Sequence, residues 1–237
     1  MRTRAKVFAW LGAVGLALAA LLAPAPVWGE ITVEVDASGQ ADPWLAGMPV
    51  GATSSCCPGG YSCSQVPAQS PPLADGLCLI ALEALTFDVT GSTAQDPGYP
   101  LRPPDGAEVT LHHGGGENGM SDLLAPISSL TAVFLDDERP DLSPTPPMLD
   151  FTTPASRNYL VLEPALKQTF FIGDGRTGSG EIQQVIVPAG ATRLFLANMD
   201  SCEFLNNIGE LHVVVHDPCG LVATESVSLS TVKALYR

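Results

Sequence analysis

Turn-forming residues break this chain so often that long helices have little room. Its 237 residues include 23 glycines and 21 prolines, many gathered in the clusters PGYP, RPPDG, GGGENG, SPTPP, GDGRTGSG and PAGAT. Glycine and proline punctuate structure because one frees the backbone and the other fixes it. The runs between the clusters have strand character. Ile31, Val33 and Val35 alternate with Thr32 and Glu34, the period-two pattern of a half-exposed strand. Further strands are expected at 77–82, 84–89, 129–135, 158–162, 168–172, 181–187, 192–197, 210–216, 221–223 and 227–235. The run SLTAVFL at 129–135 is mostly apolar and suits a buried strand. The nearest approach to a helix, 156–168, is interrupted by Pro164. Short strands separated by turn clusters predict an all-β fold, a β-sandwich or jelly roll.

The first 29 residues read as a leader. Arg2, Arg4 and Lys6 precede an apolar run at 7–22, and Val27-Trp28-Gly29 offers small residues where a signal peptidase cuts. Cleavage is expected between Gly29 and Glu30. The alternative is an uncleaved anchor, since the run approaches bilayer-spanning length. No later segment is long and apolar enough to span a membrane. Removing 29 of 237 residues leaves 208, the size of one β domain over 30–237. Within it, 43–72 is rich in Pro, Gly, Ser and Cys and reads as a long loop stapled by disulfides. A second irregular region covers 90–125. Six cysteines follow the leader: Cys56, Cys57, Cys63, Cys78, Cys202 and Cys219. An even number in an exported chain implies disulfides, with 15 possible connectivities. The favoured pairing is Cys202 with Cys219, which flank the strand at 210–216. Zinc is the competing reading for Cys56, Cys57 and Cys63.

Charge narrows the function classes. Three of the 11 basic residues and none of the 25 acidic ones lie in the leader, so the remainder carries a net charge of −17. Such a chain repels phosphate backbones, and nucleic acid is not an expected partner. There is no GxSxG elbow and no HExxH, so a non-catalytic role is favoured. Gly173 to Gly178 matches GxGxxG, but a strand follows it where a dinucleotide fold has a helix. A hairpin turn is the better reading. His112 and His113 sit beside a glycine run in what reads as a polar loop. His212 and His216 fall on one face of a strand and read as edge residues. Asp136, Asp137 and Glu138 form a solvated turn or, alternatively, a second cation site.

Residues 193–215 hold the most distinctive pattern: a strand (RLFLAN), Asp200, a short loop, Asn206-Asn207, Gly209 and a second strand (ELHVVV). With the preceding FFIGDGRTGSGEIQQVIVPAGAT, this half resembles the galactose-binding-like jelly roll of small bacterial calcium-dependent galactophilic lectins and of related exported bacterial proteins. A weaker resemblance covers 85–106 and 41–47. It implies a calcium ion held by the side chains of Asp200, Asn206 and Asn207 and by backbone carbonyls near Phe204 and Gln95. One charge with neutral oxygens leaves coordination positions for vicinal sugar hydroxyls. The interval from Asp200 to Asn206 is one residue shorter than in those lectins and contains Cys202. The resemblance implies an exported protein, secreted, periplasmic or on the cell surface, that binds carbohydrate through calcium. The alternative is a structural or cell-surface interaction protein with the same fold and no sugar site.

Overall fold

A computed structural model of the chain describes residues 28–57, 62–111 and 115–221, with side chains at 28–29 and 219–221 excepted. His112, His113, the strand expected at 227–235 and almost all of the leader lie outside the described residues. Trp28 and Gly29, the last two residues of the expected leader, begin the first strand.

The strands in chain order are β1 (Trp28–Ser38), β2 (Thr53–Ser54), β3 (Ser64–Gln65), β4 (Ala84–Ala94), β5 (Val109–Leu111), β6 (Leu123–Pro126), β7 (Leu130–Leu135), β8 (Leu149–Asp150), β9 (Val161–Leu162), β10 (Thr169–Phe171), β11 (Gln184–Ile186), β12 (Arg193–Asn198) and β13 (Ile208–Leu221). One α-helical turn, α1 (Pro154–Arg157), overlaps the start of the interrupted stretch at 156–168. Among the described residues the fold is therefore β-rich with almost no helix, as the turn density predicts. No helix among them is long and apolar enough to cross a membrane.

The largest sheet has the order β1-β13-β4-β11-β9, and a three-stranded sheet has the order β10-β7-β12. The ladders β1/β13, β13/β4 and β4/β11 are antiparallel, and β9 adds in parallel. Two smaller assemblies, β5-β6-β8 and the β2-β3 ribbon, complete the described sheets. The two principal sheets share one core. Leu85, Phe87, Val89, Leu211, Val213 and Val215 point inward from one, and Ala132, Phe134, Phe170, Leu194 and Leu196 join them from the other. All six residues of β7 are buried. It is a middle strand covered on both faces, so it lacks the alternation that a half-exposed strand shows.

Three expectations need correction. Residues 77–82 form a loop, not a strand: Leu79 and Leu82 adopt left-handed backbone at φ 49° and 71°, and the Cys78 N–H donates to the Asp217 carboxylate at 2.7 Å. The irregular stretch at 90–125 contains the end of β4 and strands β5 and β6. The pairing of Cys202 with Cys219 is also wrong. β13 runs unbroken from Ile208 to Leu221, and an extended strand advances about 3.3 Å per residue, so the two cysteines lie at opposite ends of it. Instead Cys57 bonds Cys202 and Cys56 bonds Cys63, with Cα separations of 5.4 and 4.2 Å. Cys78 is disulfide-bonded as well. Bonded sulfurs are not thiolates, so zinc has no site at these cysteines. The loop at 43–72 is stapled as expected, and the disulfides point to an oxidising, extracytoplasmic environment.

Candidate functional site: the 199–207 loop

The loop between β12 and β13 is anchored before any ligand is considered. Phe204 is fully buried and meets the Trp44 ring edge-on at 6.2 Å. The Cys57–Cys202 bond ties the loop to the segment after β2, and the Glu203 N–H donates to the Ser55 carbonyl at 3.3 Å. Glu203 sits in left-handed backbone at φ 61°, a conformation that non-glycine residues hold only where the surroundings enforce it. Gln40 donates to the Leu205 carbonyl at 2.8 Å. At the loop's end, Gly209 has φ 87°, and a Cβ there would meet the Ser92 carbonyl at 2.2 Å. Only glycine lets β13 enter its ladder with β4 this closely.

This scaffold brings the side chains of Asp200 and Asn207 together. Asp200 is buried and its carboxylate accepts the Ser201 N–H at 2.6 Å. The Asn207 side chain also supports that carboxylate. Asn207 is buried, and its Nδ2 donates to the Gly39 carbonyl at 2.9 Å. That bond orients the amide, because a carbonyl must face the NH2 end. The Oδ1 atoms of Asn206 and Asn207 are both buried without a hydrogen-bond partner. The Phe204 carbonyl accepts the Asn207 N–H at 3.1 Å and so faces the same residue. Gln95 directly follows β4, whose last pairing is Ala94 with Ile208. Gln95 and Asn207 are the chain neighbours of that last pair.

The electrostatics follow from this packing. Burial pushes the Asp200 carboxyl up from its ordinary 3.8 to about 6, against the lowering effect of hydrogen bonds from Ser201, Asn207 and Cys202. The loop holds a buried carboxylate, with the Asn207 side chain hydrogen-bonded to it, and two buried amide oxygens that have no donor. Buried polar atoms without partners are rare and call for an explanation, and an oxygen-seeking cation fits all three.

Two polar clusters escape the sequence pattern. Asp42 is fully buried and accepts the Trp44 N–H at 2.9 Å and the Ser54 hydroxyl at 2.8 Å; burial raises its pKa while Ser55, Ser54 and Ser64 lower it. On the outer face of the large sheet, Asp36, Glu210 and His212 place their ligand atoms within 4.8 Å of one another. The Asp36 carboxylate beside it raises the His212 pKa. His216 reaches Glu30 at 2.6 Å and Asp88 at 3.0 Å. β13 lies between β1 and β4, so these histidines belong to an inner strand and not to an edge. The signal was present in their shared face, but Asp36 and Asp88 come from distant strands.

Residues 173–178 form a chain reversal closed by the Arg176–Ile182 bridge, as the hairpin reading predicts. At 136–138 a turn is held by Arg193, which donates to the carbonyls of Asp136 and Glu138. Comparison of the chain with protein families, with curated proteins and with solved structures finds no match.

Proposed function

We propose that this protein is an exported, non-catalytic, calcium-dependent carbohydrate-binding protein built on a galactose-binding-like jelly roll. The single observation that carries the reading is the pair of donorless oxygens, Asn206 Oδ1 and Asn207 Oδ1, in the same loop as the buried Asp200 carboxylate. Two sheets around a common core support the fold assignment, and the disulfides support export.

Bound calcium would supply positive charge at this loop and coordination positions that exchange water for vicinal hydroxyls. The rest belongs to the chain. Asp200 provides the one formal charge. Asn206 and Asn207 provide neutral oxygens, and the carbonyls of Phe204 and Gln95 complete the proposed donor set. Phe204 in the core and the Cys57 tether hold these oxygens in place beforehand, which lowers the ordering cost of binding.

The test is a thermal melt of the mature protein with calcium and with EGTA. At a calcium concentration about a hundredfold above Kd the gain is about 2.7 kcal/mol, or roughly 5–10 °C for a domain of this size. Identical melts with and without EGTA rule out the cation. A glycan array then examines the sugar. Signal is expected with calcium, and neither EGTA nor Asp200→Ala should leave any. Glycan signal that survives both treatments puts recognition elsewhere on the molecule.

A further inference from the structure

A second polar cleft, sharing no residue with the 199–207 loop, opens beside α1, the end of β10 and the reversal at 173–178. Its volume is about 170 Å3, and its wall includes Asp105, Arg157, Asn158, Phe171, Arg176 and Gly178. Two guanidinium groups set it apart, one paired with Asp88 at 2.6 Å and the other near Asp105. The chain has a formal net charge of −14, and its described residues contain only six lysines and arginines. Two of those six meet here, while the others hold turns together or pair locally, as Lys167 does with the carbonyls of Pro140, Ser143 and Pro144.

The wall is built rather than incidental. Arg157 is fixed by Nη1, which donates to the carbonyls of Phe151 and Thr152 at 2.7 and 3.0 Å; its Nε and Nη2 make no hydrogen bond among the described residues. Arg176 is positioned by its Nη2, which donates to Asp88 at 2.6 Å. The Asn158 amide is used structurally, accepting the Gly178 N–H at 2.6 Å and donating to the Pro154 carbonyl at 2.8 Å. Asp105 Oδ1 accepts the Asp174 N–H at 3.0 Å. Gly173, at φ 66°, makes room for this arrangement: a Cβ there would meet Asp105 Oδ1 at 2.3 Å and the Phe171 ring at 2.6 Å.

We propose that this cleft binds a carboxylate carried beside hydroxyl groups, as in a uronic-acid sugar. Two guanidinium groups match a carboxylate, which accepts their N–H groups in forked geometry. A neutral sugar offers no charged acceptor to Arg157 Nε and Nη2, which make no hydrogen bond among the described residues. Phosphate or sulfate ester groups offer no donor to Asp105 and crowd it with negative charge, whereas a hydroxyl next to the ligand's carboxylate donates to Asp105. Drug-sized ligands occupy upward of roughly 300 Å3, so this cleft suits one sugar ring or a small hydroxy acid. The assignment does not depend on calcium.

Amide NMR of the mature protein in EGTA separates this cleft from the calcium loop. Galacturonate is expected to shift the amide signals of Arg176 and Gly178, and methyl galactoside is not. Lactate is the second arm: binding equal to that of galacturonate assigns the site to small hydroxy acids, and weaker binding assigns it to the sugar. Arg176→Gln is expected to weaken galacturonate about tenfold, the ratio for one lost charge-assisted hydrogen bond, with Arg176→Lys in between. The proposal fails if galacturonate leaves the cleft amides unmoved, if methyl galactoside moves them equally, or if folded Arg176→Gln binds like wild type. Should Arg176→Gln not fold, the wild-type contrast between acidic and neutral sugar still decides.

Discussion

Asp42 and Asp200 are both buried aspartates in regions joined by the Cys57–Cys202 bond, yet their surroundings differ. Around Asp42 stand donors: the Trp44 N–H and the Ser54 hydroxyl, with Ser55 and Ser64 adding to them. That carboxylate caps the 3-10 turn at Pro43–Leu45 and is satisfied by its own neighbours. Asp200 also receives donors, from Ser201, the Asn207 side chain and Cys202, but its loop holds in addition two buried amide oxygens without partners. Burial alone therefore does not mark a functional carboxylate. Donors with nothing left over make a self-sufficient structural group, and donorless oxygens in the same loop are what a cation would answer.

The largest expected effect comes from separating the two regions. Replacing Cys57 and Cys202 with serine opens a link between residues 145 apart in sequence, which loop-closure entropy puts at about 5 kcal/mol. Denaturant unfolding measures the loss, and the calcium-induced rise in Tm should shrink with it. A calcium response of full size in that variant means the tether does not organise the loop.

Asp42→Ala comes next. It orphans the buried Trp44 N–H and the Ser54 hydroxyl and removes a cap, for a loss of about 3 kcal/mol. The calcium response should remain. Its disappearance would make the two regions one functional unit.

Asp200→Asn should have the smallest effect and the opposite sign. The folded Asp200 holds its proton up to about pH 6, against an ordinary value of 3.8. Between those values the folded state binds more protons than the unfolded one, so calcium-free stability falls as pH rises through that window. Near neutral pH the variant, which carries no charge to bury, should be more stable by about 2 kcal/mol in EGTA. Below about pH 4 the difference should vanish. Calcium should no longer raise its Tm. A variant less stable than wild type in EGTA at neutral pH would show that Asp200 is satisfied as Asp42 is.

Much of the strand content was legible because it is local. The alternation at 31–35 marks part of β1 (Trp28–Ser38), and the apolar run at 129–135 marks β7 (Leu130–Leu135). The short strands β2, β3, β5 and β8 were not legible, since two or three residues carry no period. The run at 77–82 misled because apolar composition says nothing about the left-handed turns at Leu79 and Leu82. Within the candidate site, Asp200, Asn206 and Asn207 are near in sequence and stood out there.

The sequence by itself determined a β-rich chain cut by glycine and proline, an even set of cysteines after a leader, and an aspartate close to an amide pair. These depend on neighbours a few positions away. Only the tertiary structure decided that Cys202 joins Cys57, that Ala94 pairs with Ile208, that Asp42 is ringed by donors, and that Arg157 and Arg176 share a cleft. The physical reason is that a hydrogen bond's partner and a charge's surroundings are set by chain segments that meet on folding, often more than a hundred residues apart, as Cys57 and Cys202 do at a separation of 145.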